Sequence, residues 1–455
     1  MSDLSGIVKA YDIRGVVGEQ LDEDLVARFG AAFARLVVGE AASAVVIGHD
    51  MRDSSPGLSA AFADGVMSQG VDVISIGLAS TDQLYFASGS LNLPGAMFTA
   101  SHNPAKYNGI KLCRAGAAPV GQDSGLAEIK ESVEQGVPPF EGARGSRTER
   151  DVLAAYAEYL RRLVDLSGSR PLTVVVDAGN GMGGHTVPEV FSAQSGLPIK
   201  VVPMYFELDG TFPNHEANPL DPANLVDLQA AVRAEGADAG LAFDGDADRC
   251  FVIDERGDAV SPSAITALVA ARELAKEPGG TVIHNLITSK AVPEIIAERG
   301  GKAVRTRVGH SFIKSMMAET DAIFGGEHSA HYYFRDFWRA DTGMLAALHV
   351  LAALGEQDAP LSELAAEYQR YAASGEINST VDDQVARQIA VKDAFGGRRG
   401  VTIDELDGLT VELPDGGWFN LRPSNTEPLL RLNVEARDET SVRALTDEVL
   451  AIIRG

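Results

Sequence analysis

Short apolar runs alternate with longer stretches of helical spacing along most of the chain. A helix is expected from about Asp22 to Val38, and Ala44–Gly48 reads as a strand. A small-residue helix, Gly57–Gln69, and a second strand, Val71–Ile76, follow. The apolar run Ala96-Met97-Phe98 reads as a third strand, leading into Thr99-Ala100-Ser101-His102-Asn103-Pro104. The pattern then returns. Leu172–Asp177 is strand-like, Ala178–Gly184 is a glycine-rich turn, and a helix over Leu225–Glu235 precedes a strand, Ala239–Phe243, that ends at Asp244. It returns again with Thr281–Asn285, a helix over Ala291–Arg299, and Ala322–Phe324 running into Gly325-Gly326-Glu327. Strands alternating with helices indicate βαβ units with parallel pairing. Uneven spacing between the three copies points to triplication of a domain rather than a solenoid.

The last part breaks the pattern. Trp418–Leu421 and Leu429–Ala436 are strand-like, and in the second Leu430, Leu432, Val434 and Ala436 alternate with Arg431, Asn433 and Glu435. A helix over Glu439–Arg454 closes the chain, and small residues at Ala372–Gly375 read as a hinge. Asn108-Gly109 reads as a turn. The fold class is therefore α/β: three tandem related α/β domains with mixed, largely parallel sheets (1–147, 148–255, 256–368), then an α+β domain (369–455). Met344–Leu354 is apolar but too short to span a bilayer, so it is expected as a buried helix.

Composition narrows the function. The net charge of −25 argues against nucleic acid, which requires clustered Lys and Arg. It also means that an anionic substrate would need cations gathered locally, so the placement of the arginines matters more than their number. Two cysteines, Cys113 and Cys250, suggest neither a disulfide framework nor a zinc site. Met1–Gly15 lacks the apolar core of a signal peptide, and no apolar run of membrane-spanning length occurs. No membrane partner and a cytoplasmic location are expected.

Four loops carry chemistry. Ser101 lies at the carboxyl end of a strand, where open α/β sheets place their sites, but a serine needs a base or a metal to act as a nucleophile. Alone, the loop is better explained as an ST- or Asx-turn. Asp244-Gly245-Asp246-Ala247-Asp248-Arg249 sets three carboxylates at alternate positions, which suits Mg²⁺ with open positions for phosphate or water. An EF-hand is excluded, because Arg249 stands at its glycine position and Cys250–Ile253 continues as a strand. A phosphatase using Asp244 as nucleophile and a solvated acidic turn are the rivals. Arg249 reads equally as a counter-ion or a phosphate clamp. Gly325–His331 pairs Glu327 with Ser329, an acceptor and a donor suited to sugar hydroxyls. Arg422-Pro423-Ser424-Asn425-Thr426-Glu427-Pro428, followed by Arg431, fits a phosphate, or an ordinary hairpin loop. Lys111, His310 and Lys314 are basic residues beside these loops.

Together, in this order and spacing, the four loops resemble those of the α-D-phosphohexomutase superfamily over essentially the full chain, and within it the bacterial phosphomannomutase/phosphoglucomutase branch. The resemblance implies four domains around a central cleft and reversible conversion of hexose 6-phosphate to hexose 1-phosphate, on mannose and glucose phosphates. It implies that Ser101 is a phosphoserine, that Asp244, Asp246 and Asp248 hold Mg²⁺, which also touches the serine phosphate, and that Glu327 and Ser329 bind sugar hydroxyls. Arg422, Ser424, Asn425 and Thr426 would hold the phosphate that is not reacting. Tyr11, Arg14, His102, Lys111, Arg249 and His310 match cleft-lining positions, with Lys111 and His310 as proton-transfer candidates. His331 and Arg431 join the substrate-binding set. Ala330 departs from the usual glycine of the sugar loop. The implied activator and intermediate is a hexose 1,6-bisphosphate that turns end for end. Phosphoserine beside three aspartates is a repulsive arrangement that a divalent cation resolves. The alternatives are a phosphoglucosamine mutase, a sugar-phosphate phosphatase, or a sugar-phosphate-binding regulator without turnover.

Overall fold

The computed structural model describes residues 4–40, 42–192, 195–423 and 429–455, with the side chain of His310 outside that description. The chain forms two compact units, Met1–Val260 with Ser329–Leu364, and Ser261–His328 with Ala365–Gly455.

The first unit holds two mixed sheets. In one, Ala44–His49 pairs in parallel with Asp72–Leu78 and with Gly95–Phe98. Gly95–Phe98 then pairs antiparallel with Tyr107–Arg114, and that strand with Ile13–Val16. The helices Glu23–Val38 and Ser55–Ser68 cover this sheet, burying Phe29, Phe33 and Phe62 against Val45, Ile47 and Phe98. Asp22 caps the first helix by accepting from Leu25 N, which fixes its start one residue beyond the expected one. The second helix starts earlier than expected because Pro56 suits a first turn. In the other sheet Leu172–Asp177 pairs in parallel with Ile199–Met204 and Ala239–Phe243, and the latter pairs antiparallel with Cys250–Ile253. The helix Gly343–Gly355 is buried along its whole length, as expected of its apolar run, and His349 stacks on Phe334 with centroids 5.4 Å apart.

The second unit holds a parallel set, Lys302–Thr306, Thr281–Asn285 and Phe324–Gly326, and a fully antiparallel C-terminal sheet. In that sheet Leu430, Leu432, Val434 and Ala436 are buried, packed with Phe419, Phe395 and the helix Glu439–Arg454. Asn433 and Glu435 are buried as well, and Glu435 accepts from Trp418 Nε1 (2.8 Å) and from Lys290 N (2.9 Å).

One local expectation is corrected. Asn108-Gly109 is not a turn; it lies inside the strand Tyr107–Arg114. A Cβ at Gly109 would stand 2.5 Å from Ile13 O and 2.9 Å from Thr99 O, so the glycine serves close strand approach. Ala372–Gly375, expected as a hinge, opens the strand Ala372–Thr380, with a bulge before Glu376. Among the described residues no helix is long and apolar enough to cross a membrane.

In each α/β copy the chemistry-bearing loop leaves an equivalent strand. Gly95–Phe98, Ala239–Phe243 and Phe324–Gly326 each lie parallel to the first strand of their copy, and lead to Ser101, Asp244 and Glu327.

Candidate active site

Ser101 is 5% exposed and has φ +51°, a left-handed conformation that an L-residue adopts only when its surroundings impose it. Its N–H donates to Thr99 Oγ1 (2.9 Å). Its hydroxyl donates to Asp244 Oδ2 (2.8 Å) and lies 3.1 Å from His102 Nδ1. The loop of Asp244 comes in beside it: a Cβ on Gly245 would strike Ser101 O, so only glycine allows the two loops to touch.

Asp244, Asp246 and Asp248 are buried, with one oxygen of each within 4.8 Å of the others. Three positive or polar groups hold them. Arg249 donates to Asp244 Oδ2 through Nε (2.9 Å) and pairs with it through Nη2 (2.8 Å). Lys111 Nζ reaches Asp246 Oδ2 and Asp248 Oδ2, both at 2.6 Å. Thr81 Oγ1 donates to Asp246 Oδ2 (2.6 Å). The remaining oxygens, Asp246 Oδ1 and Asp248 Oδ1, are buried and make no hydrogen bond among the described residues. Buried carboxylate oxygens left unmatched are costly, and three hard oxygen donors converging on one point are what Mg²⁺ takes. The residues therefore fit a divalent cation.

The same geometry sets the ionisation. Burial and the carboxylates of Asp248 and Asp246 push Asp244 up, against the pull of Arg249. Burial acts against Asp246 too, but Lys111 and Thr81 outweigh it and hold this carboxyl below the usual range. Burial opposes the charge on Lys111, yet Asp246 and Asp248 raise it well above an ordinary lysine, so it is an ammonium donor. Burial, then Arg249 and Arg14, hold His102 well below the usual imidazole value. A neutral ring is consistent with Arg249 Nη2 donating to His102 Nδ1 at 2.5 Å.

Arg14 pairs with Asp12 and reaches Asn103 Oδ1 in the Ser101 loop. Tyr11 is half-buried in the bend before the strand Ile13–Val16. His331 Nδ1 lies 3.0 Å from Ser329 Oγ, its Nε2 lies 3.8 Å from Asp248 Oδ1, and its backbone bridges to Arg249. In the second unit, Glu327 is buried and accepts from Asn285 Nδ2 and Gly309 N, both at 3.1 Å. Arg422 lies 3.8 Å from Asp407 and from Glu376, and Arg431 Nε lies 3.8 Å from Glu376; the two arginines are cross-strand partners. Ser424, Asn425, Thr426 and the side chain of His310 lie outside the described residues. Two contributors were not singled out from the sequence: Thr81, on Asp246, and Arg52, whose Nη2 donates to Ser101 O (2.9 Å). Only Ser80-Thr81-Asp82, a helix-capping triplet after a strand, gave a local signal.

Four domain descriptions match the chain in order: phosphoglucomutase/phosphomannomutase alpha/beta/alpha domain I over residues 5–138, domain II over 154–257, domain III over 261–371, and the C-terminal domain over 376–452. A phosphomannomutase of Escherichia coli is 42% identical, with 98% of each chain covered. The chain belongs to the phosphoglucomutase/phosphomannomutase family. Other members are similarly near. The phosphohexose mutases of Xanthomonas campestris are 42% identical over 98% of this chain and 99% of theirs. A solved structure of a phosphoglucomutase/phosphomannomutase family protein from Burkholderia thailandensis superposes with a TM-score of 0.89, at 32% identity over 98% of this chain and 97% of that one. Membership makes the chain a phosphohexomutase, an intramolecular phosphotransferase.

Proposed function

We propose that this phosphohexomutase interconverts mannose 6-phosphate and mannose 1-phosphate, and glucose 6-phosphate and glucose 1-phosphate, through phosphorylated Ser101. The observation that carries the reading is the Ser101 hydroxyl 2.8 Å from Asp244, beside two buried carboxylate oxygens without hydrogen bonds among the described residues. Asp244, Asp246 and Asp248 would hold Mg²⁺, which when bound offsets the charge of the transferring phosphoryl group. In the transfer, the P–O bond to Ser101 Oγ breaks and one to a sugar hydroxyl oxygen forms. The hydroxyl's proton leaves to a base, which we assign to His310, and Lys111 supplies one to Ser101 Oγ. Lys111 is protonated, as an acid must be, although Asp246 and Asp248 hold that proton tightly. Glu327, Ser329 and His331 would bind the sugar, and Arg422, Arg431, Ser424, Asn425 and Thr426 the distal phosphate. Tyr11, Arg14, His102 and Arg249 would line the remainder. A hexose 1,6-bisphosphate is the expected intermediate and activator. The division into 1–147, 148–255, 256–368 and 369–455 is our working one, supported by matched regions that each fall mainly within one part. We assign the cytoplasm, since both cysteines are buried and free.

Coupled assays on mannose, glucose and glucosamine 1-phosphates, with intact-mass analysis, test the reading. One phosphate on the wild type, none on Ser101→Ala, loss of turnover in that variant and loss of wild-type turnover on chelation are expected. Net phosphate release by an active Ser101→Ala enzyme would favour the phosphatase, and preference for glucosamine 1-phosphate the amino-sugar mutase.

A further inference from the structure

Arg52 is 1% exposed and lies outside the motifs that define the family resemblance. It follows the strand Ala44–His49 and turns its guanidinium toward the Ser101 loop. Nη2 donates to Ser101 O (2.9 Å) and Asn103 O (2.7 Å). Nη1 donates to Pro104 O and Tyr107 O, both at 3.0 Å. Nε lies 3.3 Å from Asp50 Oδ2, and Asp50 is itself held by Ser55 Oγ (2.6 Å) and by Arg52 N (3.0 Å). The Phe212 ring covers the guanidinium, with its centroid 5.1 Å from Cζ. Space there is closed: a Cβ at Gly210 would stand 2.6 Å from Arg52 Cα.

We infer that Arg52 is a positioning residue for phosphoryl transfer, its guanidinium gathering four carbonyls of the Thr99–Tyr107 segment so that Ser101 stays left-handed with its Oγ on Asp244. The inference rests on the phosphoserine reading. Four carbonyl oxygens converging on one point repel one another, and a left-handed serine has a relaxed alternative at negative φ. A planar fork with five N–H groups can bond all four and still face Asp50. An ammonium with three donors on a longer flexible stem cannot. One of the four bonds ends on the carbonyl of Ser101 itself, so its loss frees the peptide that sets the serine's direction. The groups assigned to sugar and distal phosphate stand on other segments, Glu327 on its own loop and Arg422 and Arg431 on paired strands. Losing Arg52 should therefore lower kcat and leave KM for the sugar phosphate in place.

Arg52→Lys is expected to lose about 100-fold in kcat on mannose 1-phosphate and glucose 1-phosphate alike, the scale for a misplaced reacting group, with KM changed less than about threefold. Arg52→Ala should regain part of its kcat on addition of guanidinium ion and none with ammonium. Phe212→Leu, which removes only the covering ring, should lower kcat in the same direction by less. An Arg52→Lys enzyme with wild-type kcat overturns the inference. So does a loss of kcat that carries KM with it and ignores guanidinium. If the Arg52 variants do not fold, an unchanged kcat in Phe212→Leu overturns it. A wild-type enzyme without mutase turnover defeats the phosphoserine reading instead.

Discussion

Thr81 shows how much one hydroxyl can matter at this site. It donates to Asp246 Oδ2 while its N–H donates to Asp246 O, so a single residue fixes both the carboxylate and the backbone of a metal-ligand candidate. Partners that orient ligands change metal affinity by about 10- to 100-fold when removed. Thr81→Val keeps the shape and removes the hydroxyl. Its Mg²⁺ requirement, read as the half-saturating concentration for activity, is expected to rise about tenfold; an unchanged requirement would show that Lys111 alone orients Asp246. The sequence made Ser101 and the three aspartates legible, because a hydroxyl at a strand end and alternate carboxylates carry chemistry wherever they fold. It could not show Thr81 or Arg52. A threonine or an arginine acquires a role here only through burial and through what the fold sets opposite it.

At the level of elements, Asp82 joins three pieces of the first unit. It sits in the first turn of the helix Thr81–Leu91 and accepts from Tyr156 OH (2.6 Å) on the helix Leu153–Leu163 and from Thr342 Oγ1 (2.7 Å), the cap of Gly343–Gly355. Burial raises its carboxyl to about 6, against the hydrogen bonds from Ser80, Tyr156 and Thr342. A carboxyl raised on folding favours the native state most below its unfolded value near 3.9, and that contribution is lost as pH rises through the folded value. Asp82→Asn cannot titrate. The stability of the wild type relative to this variant should therefore fall by about 1 kcal/mol between pH 5 and pH 8, measured by denaturant unfolding. A gap that does not change with pH would mean that Asp82 is ionised without penalty. Strand positions were readable from apolar spacing where a parallel strand is a nearly continuous buried run, as in Ala44–His49, Leu172–Asp177 and Ala239–Phe243, whereas the parallel strands Ile199–Met204 and Lys302–Thr306 are largely half-buried or exposed and gave no such signal. Asn108-Gly109 was misread because it carries turn-like residues for strand crowding, and local composition does not separate that use from a turn.

For the whole molecule, the decisive feature is that the first unit is discontinuous, with Ser329–Leu364 returning to Met1–Val260. The returning helix Gly343–Gly355 packs on the strand Cys250–Ile253 and on the helix Leu153–Leu163. It buries Leu345, Leu348, Val350, Leu351 and Leu354 completely or nearly so. At about 1.5–3 kcal/mol for each such side chain, its contribution is of order 10 kcal/mol, comparable with the whole net stability of a domain. A fragment ending at Val260 should accordingly lack a cooperative thermal transition, and adding the 329–364 segment through a short linker should restore one; a cooperative transition in the fragment alone would contradict this. The four-part division gave no hint of such a return, since no local pattern marks which earlier strand a distant helix will cover. The discontinuity also sets a clock on the ribosome. After Val260 is made, about a hundred residues must be added before the unit can close, which at about 5–20 residues per second takes several seconds to some twenty. Through that interval the strand Cys250–Ile253 lacks the helix that packs on it in the finished enzyme.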